Sequence, residues 1–283
     1  FGMNMLPPAI ALFSALLKRE GHQIDLFDST YYQTNFGVDS DGSKADRLNV
    51  VPFNPENHGI QMREADWKKD IKSQVELFGP DLIAISTTED MWLLGIQLIE
   101  EIEFYIKHNK TPVIAGGVFP TFAPELTLRH RLIDMVCVGE GENALIDLCQ
   151  RIQKGQPYDN VTNLWVKQKN GSVAKNQISN PFEIDDTPVI DISLFEEQRL
   201  QRPMAGKWYK MMPVETIRGC PYKCTFCNSP DQTTLYNDQT DSNFFRKKSI
   251  NLVYQELKYF KEKYGIEYNY FWADTFLSWN NQE

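Results

Sequence analysis

The chain has 283 residues, 42% of them hydrophobic and 12% aromatic, with a formal net charge of −9 at pH 7. That is enough apolar material for more than one core, at about 150 residues per domain. The acidic balance argues against a nucleic-acid partner or an acidic membrane surface, since either needs a concentrated basic face. The one basic cluster, Arg246-Lys247-Lys248, reads as a solvated helix start. No run reaches the roughly 18 apolar residues that span a bilayer, and no cleavable leader is visible, so no membrane span is expected.

In chain order, residues 7–20 put Ile10, Phe13, Leu16 and Leu17 on one helical stripe, with proline at the start and Gly21 as the stop. A strand is expected over 23–27, ending at Asp28. Residues 29–63 are rich in Asn, Asp, Ser and Gly without long periodicity. They read as an excursion loop, expected at the ligand-facing edge of an α/β fold. From Trp67 the patterns alternate: helix 67–78, strand 81–85, a long helix 90–108, strand 112–115, helix 124–130, strand 133–138 and a helix ending at 154. Continuous apolar strands between helices predict a doubly wound parallel sheet covered on both faces.

Such sheets bind ligands at the carboxyl ends of their strands. Those ends carry Ser86 and Thr87, then Gly116 and Gly117, then Gly139-Glu140-Gly141. The hydroxyls lie beside a helix start, and the glycines let a ligand approach the backbone. Each glycine alone also fits a tight strand-to-helix turn. No Gly-x-Gly-x-x-Gly follows the first strand, which argues against a dinucleotide.

Residues 158–205 change character: a hairpin with an Asn170-Gly171 turn, then an aperiodic linker. A strand over 212–217 opens a second domain; helix 249–264 carries Ile250, Val253, Leu257 and Phe260 on one side, and a strand over 268–274 ends at Asp274. The expected division is therefore 1–157, 158–205 and 206–283.

Between those strands lies Arg218-Gly219-Cys220-Pro221-Tyr222-Lys223-Cys224-Thr225-Phe226-Cys227-Asn228. Cysteines at Cys-x3-Cys-x2-Cys spacing can turn three thiolates toward one centre, and thiolates are the ligands of iron–sulfur clusters. A four-iron cube has four corners; no cysteine comes after Cys227 and no histidine after His130, so one iron would lack a protein ligand. A structural zinc site would need a fourth Cys or His that the loop does not offer. Cys137 and Cys149 fall in an apolar strand and on a helical face, as small buried hydrophobes do. This usage suits a reducing compartment, so a cytoplasmic location is expected. His22, His58, His108 and His130 occupy turns and helix ends and are assigned no catalytic role.

The strand running into Arg-Gly-Cys-Pro-x-x-Cys-x-Phe-Cys-Asn resembles the signature of the radical S-adenosylmethionine enzymes. The resemblance implies a [4Fe-4S] cluster on Cys220, Cys224 and Cys227, whose open iron chelates S-adenosylmethionine. An electron from a reductant protein such as flavodoxin or ferredoxin would then yield a 5′-deoxyadenosyl radical. It also implies that the Phe226 backbone contacts the adenine and that Asp274, after Trp272-Ala273, faces the methionine amino group; Asp274 equally fits a cap for the next turn.

Leu6-Pro7-Pro8, the 115–121 stretch Ala-Gly-Gly-Val-Phe-Pro-Thr and the 138–142 stretch Val-Gly-Glu-Gly-Glu are similar to the cobalamin-binding domain that precedes the radical domain in one large subfamily. The resemblance implies cobalamin at Ser86, Thr87, Gly116, Gly117, Gly139, Glu140 and Gly141. Where mutase-type domains carry Asp-x-His with histidine as the lower cobalt ligand, this chain has Asp28-Ser29-Thr30. The implied function is cobalamin-assisted methylation, or ring closure, oxidation or rearrangement, at an unactivated carbon of an unidentified small molecule or peptide. The alternatives are a radical enzyme without cobalamin and a non-catalytic cobalamin- or metal-binding protein. The chain starts at Phe1, and the stretch beyond Cys227 suffices for about two strand–helix units of roughly 30 residues, against about six in a partial barrel. The expectation is a truncated radical domain, inactive alone.

Overall fold

The computed structural model describes residues 6–32 and 55–278. Most of the excursion loop expected over 29–63 thus lies outside the described residues. The chain forms two compact units, one from Glu20–Gln177 and one that joins the first helix to the chain from residue 178 on. These units do not follow the three-part division read from the sequence.

The first helix, α1 (Pro8–Arg19), buries Ala11, Leu12, Ser14, Leu16 and Leu17. Ile10 and Phe13, expected on the inward stripe, are only half-buried, so the inward face is rotated from the one read off the sequence. In the other unit, α2 (Trp67–Phe78) begins where Asp66 accepts the Lys68 N–H and ends at Gly79 in the left-handed region, as cap chemistry dictates. The sheet then runs β1 (Ile83–Ser86), β2 (Val113–Gly116), β3 (Met135–Cys137), β4 (Leu164–Lys167) and β5 (Val173–Lys175). The first three strands are parallel; β4 and β5 add antiparallel. Val113, Ala115, Met135 and Val136 are fully buried, which is why these strands read as continuous apolar runs and not as alternation. The hairpin assigned to the linker extends this sheet, turning at Gly171 with φ 85°.

The strand expected over 23–27 does not form. Among the described residues its backbone has no ladder partner, and the Gln74 amide donates to the Asp25 carboxylate and the Leu26 carbonyl. The long helix expected over 90–108 is two, α3 (Trp92–Glu101) and α4 (Glu103–Asn109), broken at Ile102. Ile99, Ile102 and Ile106 are all buried across the break. Two short helices, α5 (Val118–Phe122) and α6 (Pro124–Leu128), come after β2, and α7 (Glu142–Gln153) comes after β3.

The second unit passes from α1 through three single 3₁₀ turns to β6 (Gln201–Met204), β7 (Lys207–Arg218), α8 (Ser229–Asn237), β8 (Arg246–Lys247), α9 (Ile250–Tyr264) and β9 (Tyr268–Ala273). The central strand β7 pairs antiparallel with β6 and β8 and parallel with β9. A parallel pair joined through helices is the repeating element of a (β/α) barrel. Asp191 ties α1 in, accepting from the Ser14 hydroxyl and the Lys18 ammonium at 2.7 Å each. Burial raises the pKa of that carboxyl, but the Lys18, Ser14 and Ser193 hydrogen bonds outweigh it and hold the group well below the usual range. Lys248 and Glu256 form a fully buried ion pair at 2.8 Å. Removing either partner leaves a stranded charge, a loss of about 3–5 kcal/mol.

Candidate functional site at two strand-end edges

In the first unit the edge is built from the ends of β1, β2 and β3. The Thr87 N–H donates to the Gly116 carbonyl at 3.0 Å, and the Phe119 N–H to the Thr87 carbonyl at 3.3 Å. Gly117 has φ 99°, and a Cβ there would lie 2.6 Å from the Thr87 oxygen and 3.1 Å from the Ser86 hydroxyl, so only glycine fits. Thr87 is buried, and its hydroxyl has no hydrogen-bond partner among the described residues. An orphaned buried hydroxyl costs about 1–3 kcal/mol unless something satisfies it. The Trp92 and Phe119 rings meet in a tilted arrangement with centroids 5.1 Å apart.

The third strand end joins the same edge. Gly139, at φ 85°, donates its N–H to the Thr121 hydroxyl on α5 at 3.2 Å. The Asn163 amide reaches the Val138 and Glu140 carbonyls at 3.2 Å each. The predicted residues Ser86, Thr87, Gly116, Gly117, Gly139, Glu140 and Gly141 thus sit along the carboxyl ends of three adjacent parallel strands. Thr121 closes the 115–121 stretch but was given no role there, and Asn163 lies in no motif; the roles of both come from contacts distant in sequence. Asp28, standing before Ser29 and Thr30, is occupied locally, accepting from the Thr30 N–H and hydroxyl.

In the second unit β7 delivers the chain into the cysteine loop through Gly219, at φ 87°, where a Cβ would meet the Phe244 carbonyl at 3.0 Å and the Phe245 Cα at 3.1 Å. Tyr236 stacks on Phe244 below it at 4.6 Å, both buried. Arg218 grips the Glu215 carboxylate through two hydrogen bonds of 2.9 and 3.0 Å. Cys220 is half-buried, and Cys224 and Cys227 are exposed. The Cys227 N–H donates to the Cys224 carbonyl at 3.2 Å, and the Cys227 sulfur accepts the Ser229 N–H at 3.4 Å as α8 begins. Phe226 projects from the loop at 92% exposure.

Asp274 comes directly after β9, the parallel neighbour of β7, whose register ends at Ala273 opposite Ile217, three residues before Cys220. Burial raises the pKa of Asp274; the Gly219 N–H facing it works the other way, the Glu215 charge raises it further, and the Ser229 hydroxyl, farther than a full hydrogen bond, lowers it slightly. The turn after Asp274 is closed by Thr275 and Ser278. Cys137 and Cys149 differ from the loop cysteines. Burial, aided by the Glu142 and Glu140 charges, pushes the Cys137 thiol up to about 12, and burial pushes Cys149 up to about 11. Both stay protonated, as their reading as small hydrophobes requires.

The loop thiols suit an iron–sulfur group in kind and number, and the Ser229 N–H already points at one sulfur. They are not gathered about a centre: among the described residues no three His, Cys, Asp or Glu side chains stand close enough to hold a metal ion. Cys224 and Cys227 are exposed, so their side chains are not locked into a packed core. Gly117 is needed there for the chain's own packing, since the Thr87 backbone fills the space a Cβ would take; what the first edge offers a ligand is the Thr87 hydroxyl, which has no partner among the described residues.

Residues 53–148, which include the first three strands of the five-stranded sheet, match the family described as B12 binding domain. An uncharacterized methyltransferase of Pyrococcus horikoshii is 30% identical over 210 residues, 73% of this chain and 42% of that protein. Over 96% of its length the chain superposes on the cobalamin-dependent S-adenosylmethionine radical enzyme OxsB, with aqua-cobalamin and S-adenosylmethionine bound, at a TM-score of 0.67, 18% identity and 32% of that chain. It superposes equally far on the radical S-adenosylmethionine methyltransferase TsrM of Kitasatospora setae, at 0.62, 16% identity and 45% of that chain. The chain therefore has the fold of the cobalamin-dependent radical S-adenosylmethionine enzymes, as its motifs implied, and spans less than half the length of each of these relatives. Among the described residues no helix is long and apolar enough to cross a membrane.

Proposed function

We propose that the chain is the amino-terminal part of a cobalamin-dependent radical S-adenosylmethionine enzyme that methylates, or otherwise modifies, an unactivated carbon. When bound, the cluster with S-adenosylmethionine supplies a route to a 5′-deoxyadenosyl radical, and cobalamin supplies a methyl group. The observation that carries the reading is the parallel pairing of β7 with β9, which sets the Asp274 carboxyl against Gly219, one residue before Cys220. A carboxylate there suits a cofactor ammonium held beside the thiolates.

Each predicted residue then has a role. Cys220, Cys224 and Cys227 hold three irons. Asp274, once ionised, receives the ammonium, and the Phe226 backbone receives the adenine. At the other edge Gly116, Gly117, Gly139 and Gly141 let cobalamin lie against the backbone, while Ser86, Thr87 and Glu140 meet its polar groups. The electron is assigned to a reductant protein such as flavodoxin or ferredoxin. Anaerobic reconstitution with iron and sulfide, with visible and electron paramagnetic resonance spectra recorded afterwards, tests the proposal. A cluster signal perturbed by S-adenosylmethionine, together with stoichiometric uptake of hydroxocobalamin, is the expected result. Zinc in place of iron would overturn it.

A further inference from the structure

The loop after β3 is held by a residue outside every motif. Asn163 is 1% exposed. Its backbone is left-handed at φ 66°, a conformation that asparagine tolerates better than other side chains. Its own N–H donates to the Gln177 carbonyl at 3.0 Å, and its carbonyl accepts the Val138 N–H at 2.8 Å. The side-chain amide then donates to the Val138 and Glu140 carbonyls on either side of Gly139. With two carbonyl oxygens facing it, only the –NH₂ end of the amide fits that position. The Glu140 carbonyl also receives the Cys137 S–H at 3.7 Å, and the Gly139 N–H is taken by Thr121. The Gly139-Glu140-Gly141 loop is thereby fixed from β3, from α5 and from residue 163.

We infer that Asn163 is a positioning residue for the cofactor edge: its amide clamps the Val138 and Glu140 carbonyls and so sets the loop against which cobalamin packs. This rests on the cobalamin reading of that edge. Two requirements meet at one position, a left-handed backbone and a two-proton donor, and asparagine supplies both. Glycine would supply the first alone. Aspartate would keep the shape and, when ionised, set an acceptor against two acceptors.

The test uses Asn163→Gly and Asn163→Asp in the chain, with hydroxocobalamin as the probe. Amide hydrogen exchange across 138–145 is expected to quicken about tenfold in both variants, while exchange in β1 and β2 is unchanged. The hydroxocobalamin dissociation constant should rise about tenfold, the usual scale for losing a group that orients a cofactor site. In Asn163→Asp the loss should shrink as pH falls, because a protonated carboxyl regains one donor, while the parent chain shows no such recovery. Parent-like exchange and affinity in Asn163→Gly would overturn the inference, as would a pH-independent Asn163→Asp. If the parent takes up no hydroxocobalamin, the cobalamin reading fails, and the exchange contrast alone then decides whether the clamp exists.

Discussion

The two edges are made of different material. At the ends of β1, β2 and β3 the ligand-facing surface is backbone, fixed by Gly117, Gly139 and the Asn163 amide before any ligand arrives. At the end of β7 it is side chain, with Cys224, Cys227 and Phe226 in solvent and only Gly219 and Asp274 anchored. An edge of strand-end glycines is completed when the sheet forms. A loop of thiols is completed by the group it binds, since a ligand that prefers the ordered state supplies the ordering free energy.

Breaking each edge separately should show this. The largest effect is expected for Cys224→Ser: after anaerobic reconstitution, iron and sulfide should fall from about four of each per chain to below about one. Cys149→Ser should leave both unchanged, and an undiminished cluster in Cys224→Ser would refute the ligand set. Gly117→Ala is expected next, costing about 3 kcal/mol in urea unfolding of the first unit from a strained φ and a close approach to the Thr87 carbonyl. It should abolish hydroxocobalamin uptake while cluster content stays intact, which separates the two edges.

A smaller effect is expected at Asp274. An ammonium partner needs the carboxylate, and burial raises the pKa of this group above the ordinary carboxyl value. Affinity for S-adenosylmethionine should therefore climb as pH rises through that raised pKa and then level off. Asp274→Asn should lose about tenfold at the plateau and show no such climb, as isothermal titration would report. Stability runs the other way. The folded state holds the Asp274 proton more tightly than the unfolded chain, so its favourable contribution is present at low pH and fades as pH rises from the unfolded pKa to the folded one. The smallest effect is Ser249→Ala, which removes an N-cap bond to the Leu252 N–H and should cost the second unit about 1 kcal/mol, with neither cofactor affected.

Legibility tracked the range of the forces. Helix α2 and the start and stop of α9 were readable because Asp66, Gly79, Ser249 and Gly265 act on their own turns. The stretch 23–27 has no ladder partner among the described residues, and its Leu26 carbonyl is met by a side chain far along the sequence, Gln74. The break at Ile102 was hidden because 90–108 keeps helical periodicity through it. Of the candidate residues, the cysteines and the strand-end glycines were visible as motifs, and Gly219 and Thr121 lay inside quoted motifs without a role of their own; Asn163 lay in none, since it matters through a neighbour distant in the chain.

The spacing of three thiols and the run of apolar strands are local quantities, so composition and periodicity settle the α/β class and the choice of ligand atoms. Which carboxyl stands beside Gly219, and which amide holds the Glu140 carbonyl, depend on strand pairing and loop packing. Those are long-range contacts whose free energy is realised only when the sheets close, and no window along the chain contains both partners.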